Sequence, residues 1–256
     1  MTEALGGAVA VVTGAGKGIG RHIALALADA GATVAAVGRD VAALEETREL
    51  VGGIAVRADV SDVGQVDAMA ERVLGELGRV DVLVCNSGIA GPTAPLWEIA
   101  PADWHEVLRV NVTGTFLCCR ALLPAMIERR GGSIVVIGSV SGKRPLHGRT
   151  PYTTSKLALV GLVRTLAWEV GAHGIRVNLI SPGYVAGPRI ERVIAAQAEA
   201  LDVAPAEVLA RFTDASPLGA LTAPEDVAAC AVFLASPAAA SVTGEDLNVS
   251  AGVAMY

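Results

Sequence analysis

Tyr152 and Lys156 stand four residues apart in Pro151-Tyr152-Thr153-Thr154-Ser155-Lys156, thirteen residues after Ser139. On a helix this spacing puts both side chains on one face, one turn apart. A phenol titrates near pKa ~10, too high for easy proton exchange at neutral pH, and a fixed ammonium beside it favours the ionised form. Such a pair suits acid/base chemistry on an alcohol or a carbonyl. A second chemical signature opens the chain, where Val11-Val12 runs into Thr13-Gly14-Ala15-Gly16-Lys17-Gly18-Ile19-Gly20. Glycines there permit a tight turn, let backbone approach a diphosphate and let a following helix pack closely. The N–H groups and dipole of that helix then favour the anion. The turn follows one strand pattern and precedes the next by about twenty residues, the setting in which it reads as a nucleotide site rather than a bare turn.

These residues need elements to hold them. Apolar runs at 8–12, 33–37, 54–56, 80–84, 133–137, 176–179 and 246–249 predict strands, most of them continuous rather than alternating, as for parallel strands covered on both faces. Helical segments at 19–30, 41–50, 63–77 and 152–170 lie between them, with Thr150 as N-cap and Pro151 at N1 of the last. The alternation predicts an α/β doubly wound sheet of seven mostly parallel strands, in a single Rossmann-type domain over 1–256. The least regular stretch, from Pro182 to Pro217, carries a helical pattern of its own.

With 52% hydrophobic residues and a net charge of -6, the chain predicts a large core and no nucleic-acid partner. Residues 1–5 lack the basic and apolar regions of a signal peptide. No run of about eighteen uncharged apolar residues predicts a membrane span. Cys85, Cys118, Cys119 and Cys230 form no CxxC unit, and the four histidines are scattered. The expectation is a reduced, cytoplasmic protein without a metal site.

The second strand ends in Val37-Gly38-Arg39-Asp40, with glycine where an NAD-preferring site carries an acid for the ribose hydroxyls. Arg39 and Lys17 read either as partners of a 2′-phosphate or as solvated charges, with Asp40 capping the next helix. NADP(H) is favoured and NAD(H) is retained as the second choice.

These motifs together resemble the short-chain dehydrogenase/reductase family over nearly the whole chain. The resemblance implies cofactor contacts from Gly14, Gly16, Lys17, Gly18, Ile19, Gly20, Arg39, Asp59, Val60, Asn86, Ser87, Gly88, Tyr152, Lys156, Pro182, Gly183 and Val185. Cys85-Asn86-Ser87-Gly88 departs at Cys85 and Ser87 from the family's Asn-Asn-Ala-Gly, and Gly187 replaces a threonine that commonly meets the carboxamide. The implied tetrad is Asn111, Ser139, Tyr152 and Lys156. Tyr152 is then the acid/base and Lys156 its pKa-lowering neighbour and ribose ligand. Ser139 is the donor to the substrate oxygen, and Asn111 the holder of a relay water. A substrate flap is implied at about 184–216, with Ser141, His147, Tyr184, Trp97 and Leu96 as pocket residues. In the cation-rich loop 141–149, Arg144, His147 and Arg149 read as solvated loop charges or, for one of them, as a pocket cation that favours a polar or anionic substrate.

The leading reading is an NADP(H)-dependent oxidoreductase interconverting a secondary alcohol and a ketone, a small-molecule substrate. The alternatives are an NAD-dependent dehydrogenase of a sugar-like or hydroxy-acid alcohol, and a non-catalytic dinucleotide sensor, which an intact tetrad disfavours. The resemblance also implies a homo-oligomer, a tetramer or a dimer, built on helices near 107–129 and 152–170 and on the apolar end of the chain, 247–256.

Overall fold

The apolar runs become the strands of one parallel sheet in a computed structural model that describes residues 4–256. Residues 1–3, part of the segment read as lacking a signal peptide, lie outside the described residues. The strands are β1 (Val9–Thr13), β2 (Thr33–Gly38), β3 (Ile54–Arg57), β4 (Val82–Cys85), β5 (Gly132–Ile137), β6 (Ile175–Pro182) and β7 (Asp246–Val249). Their order, β3-β2-β1-β4-β5-β6-β7, reverses direction between β1 and β4. The seven-stranded doubly wound fold is therefore as expected.

The strands from β1 to β6 are largely apolar on both faces because each face has a helical cover, whereas β7 at the edge alternates polar Asp246 and Asn248 with Leu247 and Val249. Val11, Ala35, Leu83, Ile134 and Val177 point to one core, shared with α3 (Val63–Leu77), α5 (Gly114–Arg129) and α6 (Thr150–Val170). Ala10, Val34, Val84, Val135 and Ile180 point to the other, shared with α1 (Gly18–Asp29), α2 (Val41–Val51) and α9 (Pro224–Ala235). Cys85, at the end of β4, is buried beside Cys119 in the first core.

Two local expectations need correction. The helix expected near 107–129 is a composite of α4 (Pro101–Leu108), a π-helical turn at Arg109–Thr113, and α5. Its full length, Pro101–Arg129, is long and apolar enough to cross a membrane, but half of the apolar window is buried inside the protein, as in a core helix. Thr150 is not the N-cap of α6 but its first helical residue. Arg149 holds the cap position and makes no side-chain cap bond, because the pyrrolidine of Pro151 tolerates either of the first two helical positions. The helical pattern expected in the late stretch is present as α7 (Pro188–Leu201) and α8 (Pro205–Asp214), which close a small core of their own around Ile194, Ala198 and Val208.

Candidate active site

The carboxyl ends of β1 and β4, on either side of the reversal, are stitched together by one hydroxyl. Thr13 Oγ1 donates to the Val84 carbonyl (3.3 Å) and accepts from the backbone N–H groups of Asn86 (3.0 Å) and Ser87 (3.1 Å). Asn86 Nδ2 returns a bond to the Thr13 carbonyl at 2.9 Å. Ser87 thus keeps the turn despite its departure from alanine. The glycine turn lies directly above, and a Cβ at Gly20 would fall 2.2 Å from the Gly14 carbonyl oxygen, so only glycine lets α1 start this close. α1 begins after Lys17 with no side-chain cap, leaving its first N–H groups for an anion. These features fit a dinucleotide diphosphate.

Around the adenosine end, Lys17 Nζ lies 2.7 Å from Asp40 Oδ2, and Asp40 Oδ1 accepts from Ala43 N at 3.2 Å as the N-cap of α2. The hydrogen bond from Lys17 holds the Asp40 carboxyl below its usual range. Arg39 is largely exposed and reaches within 3.9 Å of Asp59. Burial pushes the Asp59 carboxyl up, but bonds from the Ser61 hydroxyl and N–H outweigh it and leave the group lowered. Val60 is buried beside it.

On the other side of the cleft, α6 presents Tyr152 and Lys156 as the spacing requires. The Lys156 ammonium is buried, donates to the Ile137 carbonyl at 2.8 Å and lies 5.8 Å from the centre of the Tyr152 ring. Burial opposes ionisation of the phenol, yet the charges of Lys156 and Arg189, with polar contacts from Ser139 and Arg189, hold Tyr152 below its ordinary value. Burial likewise lowers Lys156, partly countered by Tyr152. Ser139 follows β5 in extended conformation, and its hydroxyl donates to Ser141 Oγ and accepts from Ser141 N, both at 3.1 Å.

Asn111 sits in the π-helical turn, and its amide is taken up by protein groups. Oδ1 accepts from Ile89 N (2.7 Å), and Nδ2 donates to the Ile89 carbonyl (3.0 Å) and to Ser155 Oγ (2.9 Å). The side chain clamps the segment after β4 onto α6. A Cβ at the neighbouring Gly88 would lie 3.2 Å from Asn111 Oδ1 and 3.6 Å from Lys156 Nζ, so Gly88 is a narrow spacer between them.

Beyond β6, Gly183 N donates to the Val249 carbonyl (2.9 Å), and Val185 pairs with Thr222 through bonds of its neighbours Tyr184 and Ala186. Gly187, at φ 128°, is the N-cap of α7. That angle strains any threonine, which accounts for the departure at this position. Tyr184 packs edge-on against Phe212 of α8, with ring centroids 4.8 Å apart.

Several of the expected pocket residues are exposed or turned to other partners. Trp97 and Leu96 lie on a short 3-10 turn at Leu96–Glu98 and are 84% and 58% exposed, and His147 is exposed in its loop. Arg144 donates to the Val253 carbonyl, and Lys143 pairs with Asp246 at 2.9 Å, so both turn to the C-terminal segment. Of that loop's cations, Arg149 reaches Tyr152, its guanidinium carbon 5.4 Å from the ring centre. Arg189 was missing from the sequence expectation, as was the stitching role of Thr13. The only sequence signal for Arg189 is its place directly after Gly187-Pro188, at the start of a helix beyond the sixth strand.

Nucleotide turn and cation-flanked phenol meet at the same sheet edge, the layout of a dinucleotide-dependent oxidoreductase of the doubly wound α/β class. Comparison with known proteins makes this specific. The family model described as Enoyl-(Acyl carrier protein) reductase matches residues 14–254, and the chain belongs to the short-chain dehydrogenase/reductase family. It is 37% identical over 261 residues to human (3R)-3-hydroxyacyl-CoA dehydrogenase, covering 97% of this chain and 96% of that protein. It is 38% identical over 256 residues to cis-4-hydroxycyclohexanecarboxylate dehydrogenase of Sinomonas cyclohexanicum, covering 98% of each. Among solved structures, NAD+-bound xylitol dehydrogenase superposes with a TM-score of 0.90 at 31% identity, covering 97% of this chain and 99% of that one. The protein is thus an oxidoreductase of CH–OH and C=O groups, in a family that binds NAD(P)(H).

Proposed function

We propose that the protein interconverts a secondary alcohol and a ketone with NADP(H), using Tyr152 as the acid/base. The observation that carries this reading is the Tyr152 phenol flanked by the buried Lys156 ammonium at 5.8 Å and the Arg189 guanidinium at 5.7 Å from its ring centre. Tyr152 gives its proton to the carbonyl oxygen in reduction and takes it back in oxidation. Ser139 turns its hydroxyl from Ser141 to the substrate oxygen and donates to the charge that develops there. Lys156 stabilises the phenolate and holds the nicotinamide ribose. Asn111 positions the segment after β4 against α6 through its bonds to Ile89 and Ser155. The bound dinucleotide supplies the hydride donor or acceptor. NADP(H) is supported by Gly38 at the end of β2, by the commitment of Asp40 to Lys17 and the α2 cap, and by the exposed Arg39.

A Tyr152→Phe variant tests the mechanism: it should bind cofactor as the parent does and lose about 10²- to 10⁴-fold in turnover. Retained turnover refutes it. The second reading, an NAD-dependent dehydrogenase of a sugar-like or hydroxy-acid alcohol, is favoured by the xylitol and hydroxycyclohexanecarboxylate enzymes among the similar proteins. Titration with NADPH and NADH separates the two. Self-association through α5 and α6 is supported by Phe116, Leu157 and Trp168, which are exposed on these helices, and light scattering on the purified protein gives the subunit number.

A further inference from the structure

Two arginines from different elements converge on the Tyr152 ring. Arg149 immediately precedes α6 and Arg189 lies in the first turn of α7, yet their guanidinium carbons lie 5.4 Å and 5.7 Å from the ring centre. With the Lys156 ammonium at 5.8 Å, three cations surround one phenol. Among the described residues neither arginine pairs with a carboxylate. Arg149 donates to two neutral acceptors, Thr93 Oγ1 at 2.8 Å and the Ala90 carbonyl at 2.9 Å, while its buried Nε has no partner. That arrangement fixes the guanidinium plane and leaves a donor unused.

Each feature is unfavourable as it stands. The two guanidinium charges oppose one another. A cation in the first turn of a helix opposes the helix dipole. A buried unpaired donor forgoes a bond that costs more when the group is also charged. A planar anion between the two guanidinium groups would relieve the first two, since guanidinium and carboxylate match in pairs of parallel hydrogen bonds. Tuning of Tyr152 alone does not require this, because buried Lys156 already supplies a cation on the same helical face.

We propose that Arg149 and Arg189 grip a carboxylate on the substrate, so that the substrates are hydroxy acids and the corresponding oxo acids. The inference rests on the alcohol/ketone reading above and narrows its substrate class. In oxidation the carbinol O–H proton passes to Tyr152 and the C–H hydrogen leaves with its electron pair to the bound NADP or NAD. The carboxylate itself is unchanged.

The test pairs acids with neutral analogues of the same shape: 4-oxocyclohexanecarboxylate with its carboxamide, and 3-oxobutanoate with 3-oxobutanamide, each with NADPH and NADH. The readout is the acid-to-amide ratio of kcat/KM, which cancels general effects on Tyr152 or on folding. The parent should prefer the acids, and Arg149→Gln and Arg189→Gln should each lower the ratio about ten- to hundredfold, mainly through KM. Arg149→Lys should keep part of the preference. Equal use of acid and amide by the parent, or a ratio that neither glutamine variant moves, overturns the proposal. A calorimetric arm measures binding of 4-hydroxycyclohexanecarboxylate to Tyr152→Phe protein loaded with NADP or NAD, with and without each Arg→Gln change. Turnover without acid preference leaves the redox reading standing and removes the carboxylate site. Arginine-dependent binding without any turnover does the reverse, and neither binding nor turnover removes both.

Discussion

The two walls of the cleft are built on different principles. The cofactor wall is made of strand ends and backbone: Thr13 is 1% exposed and ties β1 to β4, and the turn above it is closed to any side chain at Gly20. The wall proposed to hold the substrate is made of side chains on loops and on the α7–α8 pair, whose core contains only Ile194, Ala198 and Val208 as buried members among the described residues. A shape set by the sheet cannot change without moving the sheet. A shape set by a small separate core can change locally, which is how one fold keeps a cofactor while its substrates vary.

The most damaging way to break this contrast is at the one lysine that serves both walls. Lys156→Met should reduce turnover about 10²- to 10⁴-fold near neutral pH. It should also move the pH profile. On the proposed mechanism oxidation uses the phenolate and rises through the Tyr152 pKa, which the cations hold below its ordinary value; without Lys156 that rise moves to higher pH. Reduction uses the protonated phenol, so its alkaline decline should move upward as well, and pH–rate profiles in both directions check the sign.

Smaller changes sharpen the boundary between the walls. The loop after β5 is anchored to the sheet, since Lys143 and Asp246 pair at 2.9 Å with side chains 11% and 7% exposed. Lys143→Met leaves the carboxylate without its cation and should cost about 3 kcal/mol of stability in urea unfolding. Thr13→Val keeps the shape but removes the acceptor of two N–H groups. It should cost about 1–3 kcal/mol, with weaker cofactor binding in fluorescence titration. Val208→Ala removes two methyl groups from the α7–α8 core, about 1–2 kcal/mol by buried area. KM should rise while cofactor affinity is kept. A matching loss of cofactor affinity would show that the two walls are not separable.

What the sequence disclosed follows the same division. β7 and α3 fall on their expected residues, because punctuation bounds them: Asp62 caps α3 through Gln65 N at 2.9 Å, and Gly78 ends it at φ 74°. The glycine turn and the Tyr152–Lys156 face were equally legible, being local spacings. The substrate wall was not. Arg189 meets Tyr152 only after the chain has crossed the sheet in β6, and no local pattern records that meeting. Trp97 carries the same letter whether it lines a pocket or, as here, stands 84% exposed. The π-helical turn at Arg109–Thr113 was also hidden, since one extra residue in a long apolar helix hardly disturbs its periodicity.

That turn makes the chain unusually intolerant of shortening at one place. Removing a single residue between Arg109 and Thr113 would give α4 and α5 a regular, better-bonded join. The wider turn absorbs its extra residue with little change of phase between the two halves, so α5 would keep its face to the core, but Asn111 would lose its bulged position and part from Ile89 and Ser155. A deletion that mends the helix would dismantle the site, so length here is under stricter control than composition.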